Sequence, residues 1–213
     1  MQITKLSQQL KTPSRVNVFA DGKFYRGLDK LVAMKLGLKV GLVLTPELID
    51  RLEHHQSSNQ ALNYALNSLQ RSPKSLAQLR SKLKTRFADD LVELTLKRLL
   101  DNQLLSDEKL ANDLILKYTH QAKSERQIYA LLKSKGLPPT IIKTRLQSRD
   151  TAHEELAALK VIKRKFAQIG AKGDWAITKT KLVNHLAQRG FNYGVIKAVV
   201  KPENLVSDTE HIA

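Results

Sequence analysis

The 213-residue chain has no cysteine, which excludes a disulfide framework, thiol catalysis and zinc ligation by cysteine. No apolar run approaches the roughly 18 residues that a membrane span requires. Met1-Gln2-Ile3-Thr4-Lys5 leads into no apolar stretch of the kind that forms a secretory signal. Aromatic residues make up only 5%, and 20 acids face 36 lysines and arginines. The formal charge is therefore +16 at pH 7, with a pI near 10.0. That excess goes beyond what solubility needs and points to nucleic acid, acidic protein or anionic membrane as partner. A hydrophobic share of 42% is enough to build packed cores. The expectation is a soluble, cytoplasmic, basic protein.

Strand signals are confined to the first 27 residues. Val16, Val18 and Ala20 alternate with Arg15, Asn17 and Phe19, and Asp21-Gly22 separates them from Lys23-Phe24-Tyr25-Arg26. Asp-Gly between two such runs predicts a hairpin, because both central residues of a type I′ turn need positive φ. An earlier strand around Ile3–Leu6 is expected to join it. Leu31, Val32 and Leu36 predict a short helix over 29–36 that stops at Gly37. Thr45-Pro46-Glu47 starts a helix running toward His55, with Thr as N-cap and Pro at N1. Gln56-Ser57-Ser58-Asn59 reads as a linker.

From residue 60 on, good helix formers dominate, broken at Ser72-Pro73, at Gly136-Leu137-Pro138-Pro139 and at 170–173. This part repeats itself. Leu79, Ile128 and Leu182 align, then Leu83, Leu132 and Leu186, then Phe87, Leu137 and Phe191. Leu91, Ile141 and Val195 follow, and Leu96, Leu146 and Val200 close each copy. A four-residue step keeps apolar residues on one helix face. Gly136 and Gly190 read as left-handed C-caps, after which Leu137 and Phe191 pack back on the helix just left. The first copy is one residue shorter and lacks the glycine. Each second helix is expected to give way to a third at Asp89, Pro138 or Asn192. Each copy also has an upstream amphipathic helix, about 60–71, 108–122 and 150–168. The fold class is therefore mostly α, with tandem three-helix repeats behind a small N-terminal β-hairpin/α extension. The expected modules are the extension 1–56, repeats over 57–107, 108–149 and 150–201, and a flexible tail over 202–213.

Several stretches resemble the RecX family, the regulators of RecA recombinase. Ala61-Leu62-Asn63-Tyr64-Ala65-Leu66, followed by Arg71-Ser72-Pro73-Lys74-Ser75-Leu76-Ala77-Gln78-Leu79-Arg80, resembles the family's opening repeat. Leu104-Leu105-Ser106-Asp107-Glu108-Lys109-Leu110-Ala111 is similar to the join between the first two repeats. Gln127 through Leu137 and His185 through Ile196 supply the later signatures, and Asn17–Phe24 resembles an extension that some members carry. The chain departs from the family at Gln121-Ala122-Lys123-Ser124, where a glycine is usual. The resemblance, which spans about residues 2–200, implies three tandem three-helix repeats forming an elongated, curved molecule. It implies binding along the groove of the RecA–single-stranded-DNA filament, with restraint of filament growth and of RecA's ATPase, strand-exchange and coprotease activities, in DNA repair, recombination and the SOS response. The alternative is a general basic DNA-binding or architectural protein without a dedicated recombinase partner.

Every segment carries an excess of positive charge: +4 over 1–56, +3 over 57–107, +6 over 108–149 and +3 over 150–213. The stretch 71–86, read as one helix, holds Arg71, Lys74, Arg80, Lys82, Lys84 and Arg86 and no acid. Lys123, Arg126, Lys133 and Lys135 take similar places in the second repeat, and Lys179, Lys181 and Arg189 in the third. For one basic helix a solvated face is the ordinary explanation. Recurrence at matched positions favours a track that meets DNA phosphates or an acidic filament surface. The candidate binding residues are therefore Lys74, Arg80, Lys82, Lys84, Arg86, Lys123, Arg126, Lys133, Lys135, Lys179, Lys181 and Arg189. The expected partners are the RecA filament and DNA, single-stranded first and duplex by the same charge, with no membrane and a monomeric chain. Tyr64, Phe87, Tyr118, Tyr129 and Phe191 lie on or beside apolar faces and read as core, so the repeats offer no stacking platform for bases. Phe19, Phe24 and Tyr25 stay open, since one face of the strands is exposed unless a helix or a partner covers it.

No catalytic constellation emerges, and neither an enzyme, a cofactor nor a metal is expected. His54 and His55 are adjacent and diverge on a helix. His153-Glu154 opens an HExxH-like string whose fifth residue is Ala157, so the zinc pair is missing. His120 and His185 are isolated and read as structural or surface residues. Gly22-Lys23 lacks the earlier glycine of a phosphate loop. Gly170-Ala171-Lys172-Gly173 is similar to the GXXG loop of KH domains, but with helices on both sides it reads as a plain turn. Asp89-Asp90 and Glu154-Glu155 sit at helix starts, where they complement the helix dipole.

Overall fold

A computed structural model of the chain describes residues 1–148, 150–169 and 174–205. It packs as two compact units. One is Met1–Pro73 with Leu79–Leu104, the other Lys74–Gln78 with the chain from Leu105 onward.

In the first unit β1 (Ile3–Gln8), β2 (Arg15–Ala20) and β3 (Lys23–Asp29) form an antiparallel sheet in that order. Asp21 and Gly22 take φ of 49° and 78°, the two positive values that a type I′ turn needs. The register pairs Ile3 with Ala20 and Val16 with Leu28, so one face gathers apolar side chains. Ile3, Val18, Ala20 and Leu28 pack with Val32 of α1 (Lys30–Lys35), with Leu44 and with Leu52. Burying each of the larger side chains is worth about 1.5–3 kcal/mol, so alternation fixes the register.

The linker read at 56–59 is helical. α2 runs unbroken from Pro46 to Arg71, 26 residues. No glycine or proline interrupts it after Pro46, and serine or asparagine inside a helix costs only about 0.5 kcal/mol. Gln56 and Ser58 also have work there. The Gln56 carboxamide oxygen accepts the Asp29 N–H at 3.1 Å, and Ser58, buried, accepts from Arg98 Nη1 at 3.2 Å.

The basic stretch 71–86 is not one helix either. Pro73 holds Ser72 extended (φ −166°, ψ 143°), and α3 restarts at Leu76 and ends at Lys84. Arg71 closes α2, Lys74 lies between the helices and Arg86 follows α3. α4 (Asp89–Asp101) then begins as expected. The turn before it, which lacks glycine, closes with the Phe87 N–H on the Leu83 carbonyl at 3.0 Å and no left-handed residue.

The second unit holds α5 (Asp107–His120), α6 (Glu125–Ser134) and α7 (Pro139–Gln147), then α8 (Ala152–Ile169), α9 (Trp175–Gln188) and α10 (Tyr193–Val199). The first triplet closes on Leu110, Ile115, Ile128, Leu132, Leu137, Ile142 and Leu146, the second on Ala158, Ile162, Leu182, Leu186, Phe191 and Ile196. The repeat is thus real in the packing, with one shift. Its fourth position is filled by Val92, Ile142 and Ile196, each more deeply buried than Leu91, Ile141 and Val195. They stand four residues before Leu96, Leu146 and Val200, on the same face.

Gly136 and Gly190 (φ 76° and 79°) are the expected C-caps: the Leu137 N–H reaches the Leu132 carbonyl, and the Phe191 N–H the Leu186 carbonyl. The same motif is built without glycine at Gln103 and Ala122, at φ 56° and 55°. Ala122 lies in the stretch where the resemblance implies a glycine, and it takes the left-handed conformation that glycine favours. Of the mobile tail expected over 202–213, Pro202–Asn204 form a 3-10 turn and Leu205 is buried in the last core. The remainder, 206–213, and the turn expected at 170–173 lie outside the described residues.

Candidate nucleic-acid interface

In the first unit the bases on α3 and just after it divide into two pairs. Arg80 and Lys84, one turn apart, meet the acids of α4. Arg80 donates to both oxygens of Glu93 at 2.9 and 3.0 Å, and Lys84 Nζ lies 3.1 Å from Asp89. Lys82 on α3 and Arg86 in the turn after it cover the ring of Tyr64, at 5.7 and 4.9 Å from its centroid. Tyr64 is half-buried, its ring 5.9 Å from that of Phe87. It is a seat for two cations rather than plain core. A reading confined to the helix finds no acid on it; the acids come from α4. Exposed ion pairs of this kind are worth about 0–1 kcal/mol, so a phosphate can replace the carboxylate at little cost.

In the second unit two joints of one design link successive repeats. In the first, Ser75 caps α3: its Oγ accepts the Gln78 N–H, and the Gln78 carboxamide accepts the Ser75 N–H, both at 3.2 Å. The same Oγ donates to the carbonyl of Lys135, at the end of α6, at 2.6 Å. The Leu76 N–H donates to Asp107 at the start of α5, at 2.8 Å. In the second, Ser124 and Gln127 form the same box on α6. Ser124 Oγ donates to the Arg189 carbonyl at 2.7 Å, and the Glu125 N–H to Glu154 at 3.3 Å. Both serines are fully buried. The capping box satisfies two donors that a helix start would leave bare, and the hydroxyl proton remains to tie down the next repeat.

These joints decide which candidate residues meet. Lys74 precedes Ser75, and the serine is bonded to Lys135; Lys123 precedes Ser124, and that serine is bonded to Arg189. Basic residues of consecutive repeats are thereby brought together twice. Arg126 joins the second pair, its stem lying over Gly190, where a Cβ would meet Arg126 Cδ at 3.0 Å. Lys133 is exposed on α6, one residue short of the turn that holds the first joint's acceptor, and Lys179 and Lys181 are exposed on α9. Among the described residues, no carboxylate pairs with Lys123, Arg126, Lys133, Lys135, Lys179, Lys181 or Arg189.

Burial pushes the Asp107 carboxyl above its ordinary value, against the downward pull of the Leu76 N–H. His185 is pushed below its ordinary value by burial and by the neighbouring Arg189 and Lys165. Among the described residues no three potential metal ligands converge, and no helix is long and apolar enough to cross a membrane.

Ser75, Gln78, Ser124 and Gln127 were absent from the candidate residues. Their signal is nevertheless in the sequence: Ser-x-x-Gln, ahead of an apolar-periodic run, stands at the same repeat position twice. The partner carbonyls carry no such signal.

Comparison with known proteins places the chain. Residues 1–45 match the RecX regulatory protein N-terminal domain, 61–99 the first three-helix domain of RecX and 154–200 its third. Together these segments make up more than half of the chain. It is 27% identical over 199 residues to the regulatory protein RecX of Clostridioides difficile (strain 630), covering 93% of each. To that of Leuconostoc mesenteroides it is 29% identical over 202 residues, covering 93% of this chain and 74% of the relative. A crystal structure of regulatory protein RecX shares the fold with a TM-score of 0.76 at 22% identity, over 92% of this chain and 97% of that one. RecX from Lactobacillus salivarius does so with a TM-score of 0.63 at 19% identity, over 70% and 96%. With three of its domains matched in order along a mostly helical chain of three-helix repeats, the protein belongs to the RecX family of regulatory proteins.

Proposed function

We propose that the chain restrains RecA recombinase by occupying the groove of the RecA–single-stranded-DNA filament. It acts by binding, not by catalysis. The observation that carries this reading is the recurrence of the joint. A lattice partner such as a filament offers the same surface at regular steps, and a ligand for it profits from contacts that repeat in kind. Each joint gathers bases of two repeats, with Lys74 and Lys135 at the first and Lys123, Arg126 and Arg189 at the second. Contacts that are weak singly become strong when a chain holds them at once, since each later one is intramolecular. The modules proposed to act are the extension 1–56 and the repeats 57–107, 108–149 and 150–201, working as a monomer in the cytoplasm.

The decisive measurement is the ATPase of RecA on single-stranded DNA as the protein is added. Slowing at substoichiometric amounts supports a filament partner. Slowing only at amounts that coat the free DNA leaves a general basic DNA binder. A salt titration of DNA binding tests the phosphate contacts: for about five neutralised phosphates the slope of log K against log salt is about −3.5. A flat response would remove DNA from the mechanism.

A further inference from the structure

We propose that the outward face of the N-terminal sheet is a stacking platform for the bases of single-stranded DNA. The register sets Lys5, Phe19 and Phe24 side by side across the three strands. The two rings meet edge to face, centroids 5.8 Å apart at 77°, and Lys5 Nζ lies 5.7 Å from the centre of Phe19. Phe24 is 60% exposed, while the opposite face holds Ile3, Val18 and Leu28 at 1% or less. Phe24 thus stands outside the core, its ring open to water on one side and held by Phe19 on the other.

The rest of that face says what would lie on it. Across the same strands come Ser7, Asn17 and Gly27, and then Arg15 with Asp29, whose carboxylate is taken by the Leu31 N–H at 2.9 Å. Gln9 donates to Asn17 at 2.7 Å, Arg15 donates to the Gly27 carbonyl at 2.9 Å, and both lie close over Gly27, where a Cβ would meet Gln9 Nε2 at 2.7 Å. No aliphatic side chain belongs to this face, which argues against an apolar protein partner. Lys5 flanks the rings on this face, Lys23 is paired with Ala20 and belongs to the other face at the hairpin end, and the carboxylate of Asp21 is taken by the Gln2 N–H at 2.8 Å. Aromatic rings bordered by a lysine, an arginine and polar amides suit bases and the phosphates that join them: every base has a π face, and stacking tolerates any sequence. The sheet thereby supplies the platform that the aromatics of the repeats do not. This inference rests on the DNA-binding part of the proposed function and adds base contact to phosphate contact.

The test compares two labelled strands of equal length by fluorescence anisotropy with the full chain: a thymidine 15-mer and an abasic phosphodiester 15-mer. The wild type should bind the thymidine strand about tenfold more tightly. Phe24→Ala should abolish that preference while leaving the abasic strand's affinity unchanged and the chain folded, with only the small drop in thermal midpoint that loss of the Phe19 contact brings, and Phe24→Tyr should retain it. Equal affinity of the wild type for both strands, or a preference that survives Phe24→Ala, overturns the platform and leaves the phosphate reading standing. Binding of neither strand overturns both.

Discussion

The two joints of the second unit do one job with different neighbours, and the difference separates what the joint needs from what surrounds it. Serine, glutamine and the accepting carbonyl are the same in both. The carboxylate changes from Asp107 to Glu154, and the residue against the glycine changes from Ala77 to Arg126. The invariant part is the hydrogen-bonded core, so the largest effects should come from removing it. Ser75→Ala and Ser124→Ala each delete an N-cap, worth about 1 kcal/mol, and orphan a buried carbonyl, worth about 1–3 kcal/mol. Each is expected to destabilise by about 2–4 kcal/mol in urea unfolding. Similar losses at the two sites would establish the joints as equivalent; a loss at only one would show that the other hydroxyl is idle.

The glycines sharpen the comparison because their backbones match while their surroundings do not. Alanine at φ 76° or 79° costs about 1 kcal/mol at either site. At Gly136 the new methyl meets Ala77 Cβ at 3.0 Å and Ser75 Oγ at 3.3 Å. The first is fixed to α3, and the second is the joint's own donor. At Gly190 it meets the stem of exposed Arg126, whose outer carbons can swing away. Gly136→Ala is therefore expected to cost about 2–3 kcal/mol and Gly190→Ala about 1–2 kcal/mol. The reverse order would mean that Arg126 is held more firmly than its exposure implies.

The helical repeats were legible because burial follows a four-residue step that glycine punctuates, and both leave marks in sequence. The hairpin was legible from Asp21-Gly22. What escaped lay between elements. The linker at 56–59 failed because Ser58 and Gln56 are polar residues whose partners, Arg98 and Asp29, come from elsewhere in the chain. The single helix over 71–86 failed at Ser72-Pro73, and the acids that meet Arg80 and Lys84 were out of sight because Glu93 and Asp89 belong to α4. The joints were half legible. The Ser-x-x-Gln boxes are local, but their second bond goes to carbonyls 60 and 65 residues away, which any residue could supply.

Two further caps extend the comparison to sites without glycine. Gln103 and Ala122 take left-handed φ, which strains any residue with a Cβ. Gln103 is exposed, so Gln103→Gly is expected to stabilise by about 0.5–1 kcal/mol. Ala122 is buried in the last core, and Ala122→Gly loses a methyl worth about 0.8 kcal/mol. Its net change in thermal unfolding should be close to zero. A clear stabilisation by Ala122→Gly would mean that the methyl is not packed.

The smallest effect is one of pH, and it runs in opposite directions at the two joints. Asp107 has a raised pKa in the folded chain, so as pH climbs past the ordinary carboxylate value the unfolded chain loses its proton first. Stability falls over that interval and is level above the folded value. His185, one turn before Arg189, has a lowered pKa, so as pH drops below about 6.5 the unfolded chain gains its proton first and stability falls with it. Above about 6.5 that contribution is flat. Asp107→Asn keeps an oxygen for the Leu76 N–H and should remove the acid-side slope, whereas His185→Gln should remove the slope just below neutrality. Unfolding midpoints between pH 4 and 8 follow both. If Asp107→Asn instead abolished the slope near pH 6, the first joint rather than the second would hold the group that titrates there.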